Sequence, residues 1–151
     1  LLPHDPPAPI SAAERDAILK RIAPIAVVKN LRFDVRELAH GYCQTVVPLD
    51  ERFVGAYGAY HGGLLATAAD SVACLAIWGG IGADKHLTTS DLHIRYLAAC
   101  FTDAIVEARV IKFGRTLCPV DVRIYDTNKR PVAAATVTYF LLEGAVEGNA
   151  G

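Results

Sequence analysis

What most constrains this chain is a single carboxylate set inside an apolar run. Asp70 is the only charge in Leu64-Leu65-Ala66-Thr67-Ala68-Ala69-Asp70-Ser71-Val72-Ala73-Cys74-Leu75-Ala76-Ile77-Trp78, a stretch with helical composition. A helix that is apolar nearly all round must be covered on most sides. A carboxylate taken out of water costs several kcal/mol unless it is paired or put to use. No Lys or Arg lies within two turns of Asp70. The fold must therefore wrap this helix and still give its one acid something to do. Tyr60-His61-Gly62-Gly63 runs straight into the helix, and a glycine-rich helix start leaves backbone N–H groups free to approach a substrate carbonyl.

Counted at 100° per residue, the Asp70 face carries Gly63, Ala66, Thr67, Ala73, Cys74 and Ile77, most of them small. The opposite face carries Leu64, Leu65, Ala68, Val72 and Leu75. The bulky side is expected to meet a sheet, and the Asp70 side to leave room for a partner helix, a loop or a ligand chain.

The rest of the chain supplies the cover. Leu1 to Ile10 holds Pro3, Pro6, Pro7 and Pro9 and reads as an extended arm. Ser11-Ala12-Ala13-Glu14 has capping-box spacing, and Ile18, Leu19 and Ile22 give a short helix ending before Pro24. Ala26 to Leu38 reads as a strand, Ala39-His40-Gly41 as a turn and Tyr42 to Val47 as a returning strand. Asp50 to Tyr60 reads as a loop. Gly79-Gly80-Ile81-Gly82 is expected to end the central helix.

Downstream, the pattern has period two. Leu92, Ile94 and Tyr96 alternate with Asp91, His93 and Arg95, and Ile105 to Phe113 repeats the behaviour. Gly114-Arg115 turns the chain, Val120, Val122 and Ile124 alternate with Asp121, Arg123 and Tyr125, and Asp126 to Arg130 makes a hairpin turn into a strand from Pro131 to Leu142. Pro119 points to an edge or a bulge in its strand. The reading is α+β: a hairpin, then a four-strand antiparallel meander, curved around one long helix. The organisation is an arm over residues 1–10, one domain over 11–142 and a tail over 143–151.

Composition narrows function mainly by exclusion. The 151 residues are 52% hydrophobic and 21% charged, enough for one real core. A net charge of −1 without a basic run leaves no electrostatic footprint for nucleic acid or an anionic membrane, so neither is expected as a partner. Cys43, Cys74, Cys100 and Cys118 lack C-x-x-C spacing, so no metal or redox motif is expected and a reducing cytoplasm fits. No basic-then-apolar leader opens the chain, and the absence of Met suggests that the natural start lies upstream.

Taken singly, each site residue has a plain structural reading. Asp70 could be satisfied by Thr67 or a second copy's backbone, His61 could bond the backbone at its turn, Gly62 and Gly63 could serve only the turn, and Cys74 could be an inert buried thiol. Together they carry more. His61-Gly62-Gly63 with Asp70 nine positions after the histidine, the strand Thr88-Thr89-Ser90-Asp91-Leu92-His93-Ile94-Arg95-Tyr96-Leu97 and the turn Phe113-Gly114-Arg115-Thr116 resemble the hotdog-fold acyl-CoA thioesterases of the phenylacetate-degradation (PaaI) type, over roughly residues 28 to 142.

That resemblance implies a hotdog fold and hydrolysis of an aryl-, arylacetyl- or medium-chain acyl-CoA. Gly62 N–H would polarise the thioester carbonyl. Asp70 would act as nucleophile or general base, and Thr89, with Ser90 beside it, would help hold the carboxylate or water. His61, Gly63, Tyr60, Ser90, Gly114 and Arg115 would contact substrate. Lys112, Arg115 and Arg130 are candidate ligands for CoA phosphates. In this family, the two catalytic groups come from different subunits, which implies a homodimer, further assembled into a homotetramer. No metal or cofactor is implied, since coenzyme A arrives as part of the substrate. Gly55 departs from the pattern, standing where the family often has Asn or Gln; Tyr57, Tyr60 or a water would have to replace that hydrogen bond. The alternative it raises is a non-catalytic acyl-CoA-binding hotdog protein, a sensor or accessory subunit. A dehydratase would need His61 and Asp70 on one substrate carbon, and the helical count puts them on opposite sides.

Overall fold

A computed structural model describes residues 6–143. The elements are α1 (Ala12–Ile22), α2 (Ala26–Asn30), β1 (Asp34–Ala39), β2 (Tyr42–Val47), a 3-10 turn at Glu51–Phe53, α3 (Gly62–Ile81), β3 (His86–Tyr96), β4 (Ala104–Val110), β5 (Leu117–Tyr125) and β6 (Pro131–Leu142). Every strand pairing is antiparallel, in one six-stranded sheet of order β1-β2-β4-β5-β6-β3. The architecture is α+β, with α3 against all six strands.

The core is the interface of α3 with the concave sheet face. Leu65, Val72, Leu75 and Ile77 on the helix meet Val106, Val120, Val122, Ile124 and Val137, all essentially inaccessible. Each such side chain stabilises the fold by roughly 1.5–3 kcal/mol. The helix is long and apolar enough to cross a membrane; here the sheet supplies its cover. The open stripe is narrower than the helical count predicts. Ala73 and Ile77, assigned to the Asp70 side, are fully buried, and Leu64 on the other side is half-buried. Gly63, Thr67, Asp70 and Cys74 stay at least partly accessible.

Four local expectations change. Over 26–38 the first part is helical: Lys29 N–H bonds Ile25 O and Leu31 N–H bonds Val27 O, so Val28 and Leu31 are buried at helical spacing. Arg32 at φ 53° breaks that turn, and the strand starts only at Asp34. The downstream strands do not form a simple meander, because β3 crosses to the far edge and pairs with β6. A period-two pattern fixes which face a strand buries but not which neighbour it takes. Pro119 sits in an interior strand without a bulge at that point; β4 ends at Val110, opposite Val120, so the missing N–H falls beyond the last β4 pair. Finally, Gly79 and Gly80 are helical, and Gly82 at φ 96° ends α3, its N–H bonding Trp78 O at 2.9 Å.

The Ser11/Glu14 capping box forms as expected, and Gly41 at φ 68° turns the β1–β2 hairpin. Past Val110 the chain leaves the sheet, so that Phe113 stacks 5.1 Å from the His40 ring. Of the arm, Ala8 and Pro9 lie along β1, with His40 N–H bonding Ala8 O. Residues 1–5 of the arm and 144–151 of the tail lie outside the described residues.

Candidate active site

Asp70 sits at mid-helix, half-buried, and takes part in no ion pair among the described residues. Hydroxyl groups from the sheet hold it instead. Thr89 Oγ1 donates to Asp70 Oδ1 at 2.9 Å, and Tyr139 Oη lies 2.8 Å from both Oδ1 and the Asp70 main-chain oxygen. Asp70 Oδ2 has no hydrogen-bond partner among the described residues. Thr89 and Tyr139 are direct cross-strand partners of β3 and β6.

A β-bulge is what aims Thr89 at the helix. The β3 register shifts between Thr89 and Asp91, leaving Ser90 unpaired. Leu92 and Ile94 pack on the core from even positions, whereas before the bulge odd-numbered Leu87 packs there and Thr89 reaches Asp70. Ser90 is exposed.

Tyr139 is the side chain beside Asp70 that the sequence reading missed. Its signal was present: among Ala133, Ala135 and Val137 at the inward positions of β6, one phenol is oversized and needs a hydrogen-bond partner. Burial, then the neighbouring Cys74 and Asp70, push its hydroxyl well above the ordinary tyrosine range, so it stays a donor. Cys74, one turn along α3, is pushed up to about 12, mainly by burial and then by Asp70. That keeps the thiol neutral, while its side chain is half-buried where the plain reading has it buried.

At the helix start, His61 is the N-cap and its Nδ1 accepts Gly63 N–H at 3.0 Å. Leu64 and Leu65 N–H both bond His61 O. Gly62 N–H, at the first helical position, has no partner among the described residues. The imidazole is thus occupied in capping, with Nδ1 as acceptor. Tyr96 Oη donates to Gly62 O, and a cavity of 380 Å³ opens beside Gly62 between α3 and the chain following β3.

Tyr60 forms part of that cavity's wall. Its ring is 5% exposed, its hydroxyl donates to Pro48 O at 3.1 Å, and burial raises it to about 12. The suggestion that Tyr57 or Tyr60 replaces the family's Asn or Gln side chain finds no support within one chain, since Tyr60 is committed and Tyr57 is 91% exposed. Gly55 closes its own loop by donating to Ala59 O.

The remaining substrate candidates lie apart. Eight residues of helix separate Gly62 from Asp70, roughly 12 Å along the axis. Gly114 and Arg115 adjoin Phe113, whose ring packs on Gly80, roughly 15 Å beyond Asp70. Lys112 and Arg115 are exposed without a side-chain partner among the described residues, whereas Arg130 is tied to Asp126 at 3.1 Å and to Ala99 O at 2.8 Å. Among the described residues, no His, Cys, Asp and Glu cluster could hold a metal.

Comparison with known proteins converges on one family. The thioesterase superfamily profile matches residues 57–133, just over half of the chain, from the loop before Gly62 into β6. No curated protein matches the sequence. Among solved structures, a thioesterase family protein from Silicibacter pomeroyi superposes with a TM-score of 0.80 at 22% identity, over 87% of this chain and 99% of that one. The E. coli PaaI protein from the phenylacetic acid degradation operon gives 0.74 at 19% identity, over 88% and 94%. A Streptococcus mutans protein bound to acetyl CoA gives 0.67 at 26% identity, over 76% and 91%.

Proposed function

The chain belongs to the thioesterase superfamily, and from that premise we propose that it hydrolyses acyl-CoA, with Asp70 and Gly62 N–H acting on one carbonyl from two copies of the chain. The observation that carries this is the asymmetry of the Asp70 carboxylate: Oδ1 holds two hydroxyl groups, and Oδ2 is unpartnered among the described residues. A carboxylate fixed by one oxygen presents the other in a defined direction.

Oδ2 either takes a proton from a water that attacks the thioester carbon, or attacks that carbon itself to form a mixed anhydride that water then opens. By either route the C–S bond breaks, coenzyme A leaves as a thiolate that takes up the proton the water gives up, and negative charge passes through the carbonyl oxygen. A free Gly62 N–H facing that oxygen in a dry site is worth on the order of 3 kcal/mol. Acetyl CoA on the Streptococcus mutans relative supports a CoA ester as substrate.

The axial separation of Gly62 from Asp70 is too great for one carbonyl to meet both in a single copy. Among the described residues β3 pairs only with β6 and leaves one backbone edge free over eleven residues, the kind of edge that a second strand completes. A homodimer, further assembled into a homotetramer, would bring the groups together without any cofactor. Exposed Arg115 and Lys112 are the proposed cations for the CoA phosphates.

The test is thiol release from aryl- and fatty acyl-CoAs beside Asp70→Asn, with oligomeric state checked for both. Release that falls to background in an intact Asp70→Asn oligomer supports the reading. Binding without release by either protein would replace it with the acyl-CoA-binding alternative, which the amide-free Gly55 loop favours.

A further inference from the structure

We propose that the cavity beside Gly62 accepts an unsubstituted hydrocarbon acyl group, aliphatic or aryl, and discriminates against acyl groups that end in a hydroxyl or a carboxylate. The inference rests on the thioesterase reading for the identity of its ligand. Its own support is the chemistry of the lining.

Three side chains on the wall carry polar atoms, and each is already committed within the chain. Tyr60 Oη donates to Pro48 O, Tyr96 Oη donates to Gly62 O, and Cys100 Sγ donates to Thr102 O at 3.3 Å. The other lining side chains, among them Leu65 and Leu97, are hydrocarbon, and none is charged. Gly62 N–H is thus, among the described residues, a free donor at the edge of an apolar hollow whose own side-chain donors are spent. A thioester carbonyl placed on that N–H can send its acyl substituent into the hollow.

Size and polarity then decide what is accepted. The 380 Å³ volume lies at the low end of the roughly 300–1,000 Å³ typical of small-molecule pockets, ample for a short fatty or arylacetyl chain. A terminal hydroxyl that enters loses its water and finds no free side-chain donor, and a terminal carboxylate, which can only accept, loses more. An apolar pocket rejects an added hydroxyl only moderately, by roughly ten- to a hundredfold.

The experiment uses non-hydrolysable CoA thioethers that keep the carbonyl, the S-(2-oxoalkyl) series, titrated into the whole protein by calorimetry. Three ligands share one chain length and end in methyl, hydroxyl or carboxylate. The hydroxyl ligand is expected to bind roughly ten- to a hundredfold more weakly than the methyl ligand, and the carboxylate ligand weaker still. Leu97 is 59% exposed at the rim, so Leu97→Lys is compatible with folding and is expected to raise the carboxylate ligand's affinity relative to the methyl ligand's. Equal affinity for all three, binding of none, or an unchanged ratio in Leu97→Lys would overturn the inference. Thiol release from hexanoyl-CoA is measured in parallel: selective binding without release sinks the hydrolase reading and leaves the pocket assignment standing.

Discussion

The two halves of α3 are built to opposite ends. From Leu75 to Gly79 five consecutive residues are buried, whereas from Gly62 to Asp70 buried and accessible positions alternate around the helix. Each half carries a Gly-Gly pair, and the surroundings differ. A Cβ on Gly79 would stand 2.3 Å from the Ala39 carbonyl oxygen, and one on Gly80 would stand 2.1 Å from the Phe113 ring. At the start of the helix the nearest atoms are side chains, the Tyr96 ring at 3.2 Å from Gly62 and the His61 ring at 3.1 Å from Gly63. The second pair is therefore demanded by packing. The first is not, and what it leaves available is a backbone N–H.

That contrast breaks most sharply at Gly62→Pro, which removes the N–H. Proline suits the first position of a helix, and His61 at φ −63°, ψ 128° already has the extended backbone that a residue before proline needs. The expected outcome is a fall in kcat of roughly 10²–10³-fold, as for loss of an oxyanion donor, with thermal stability close to wild type. An active Gly62→Pro would remove the N–H from the mechanism.

Gly79→Ala tests the other half, through stability. The clash is with backbone, so β1 or the helix must move, and unfolding free energy is expected to drop by about 3 kcal/mol. Gly80→Ala should cost less, about 2 kcal/mol, because the Phe113 ring at 38% exposure can swing outward. Denaturant titration measures both. Gly79→Ala within error of wild type would show that the sealed half has slack the packing does not suggest.

Tyr139→Phe probes the middle of the helix, where the open half ends. It deletes one of the two hydroxyls on Asp70 Oδ1, a charge-assisted bond worth about 1.5 kcal/mol, so kcat should fall about tenfold with KM little changed. A loss of thermal stability with kcat unchanged would assign Tyr139 to packing alone.

How far the sequence carried follows the same division. The lone Asp70, the capping box, the β1–β2 turn and strand β6 were legible because each is written in neighbouring residues. The placement of β3 beside β6, the service of Tyr139 to Asp70 and the Phe113 ring on Gly80 join residues far apart in sequence. No local period encodes such contacts. The Gly79-Gly80 pair shows the point most plainly: as a string it reads as a helix stop, and only the Ala39 oxygen and the Phe113 ring reveal it as a packing requirement inside the helix. Thr89 was named by resemblance, but the bulge that turns it inward could not be read from alternation, which assigns its parity to the other face.

The smallest effect is expected at Gly62→Ala, and it decides what the open half is for. The substitution keeps the N–H and adds a methyl group 3.2 Å from a Tyr96 ring that is half exposed and able to yield. Alanine also gains some helix propensity, which offsets the contact, so stability should stay within about 0.5 kcal/mol of wild type. If the donor is what matters, kcat should stay within about threefold of wild type while Gly62→Pro loses its roughly 10²–10³. If Gly62→Ala fails as badly as Gly62→Pro, the methyl group itself is the obstacle. Gly62 would then be needed for the close approach of the acyl carbonyl beside Tyr96, making the start of the helix as sterically exacting as its end, with the ligand in the place of Ala39 and Phe113.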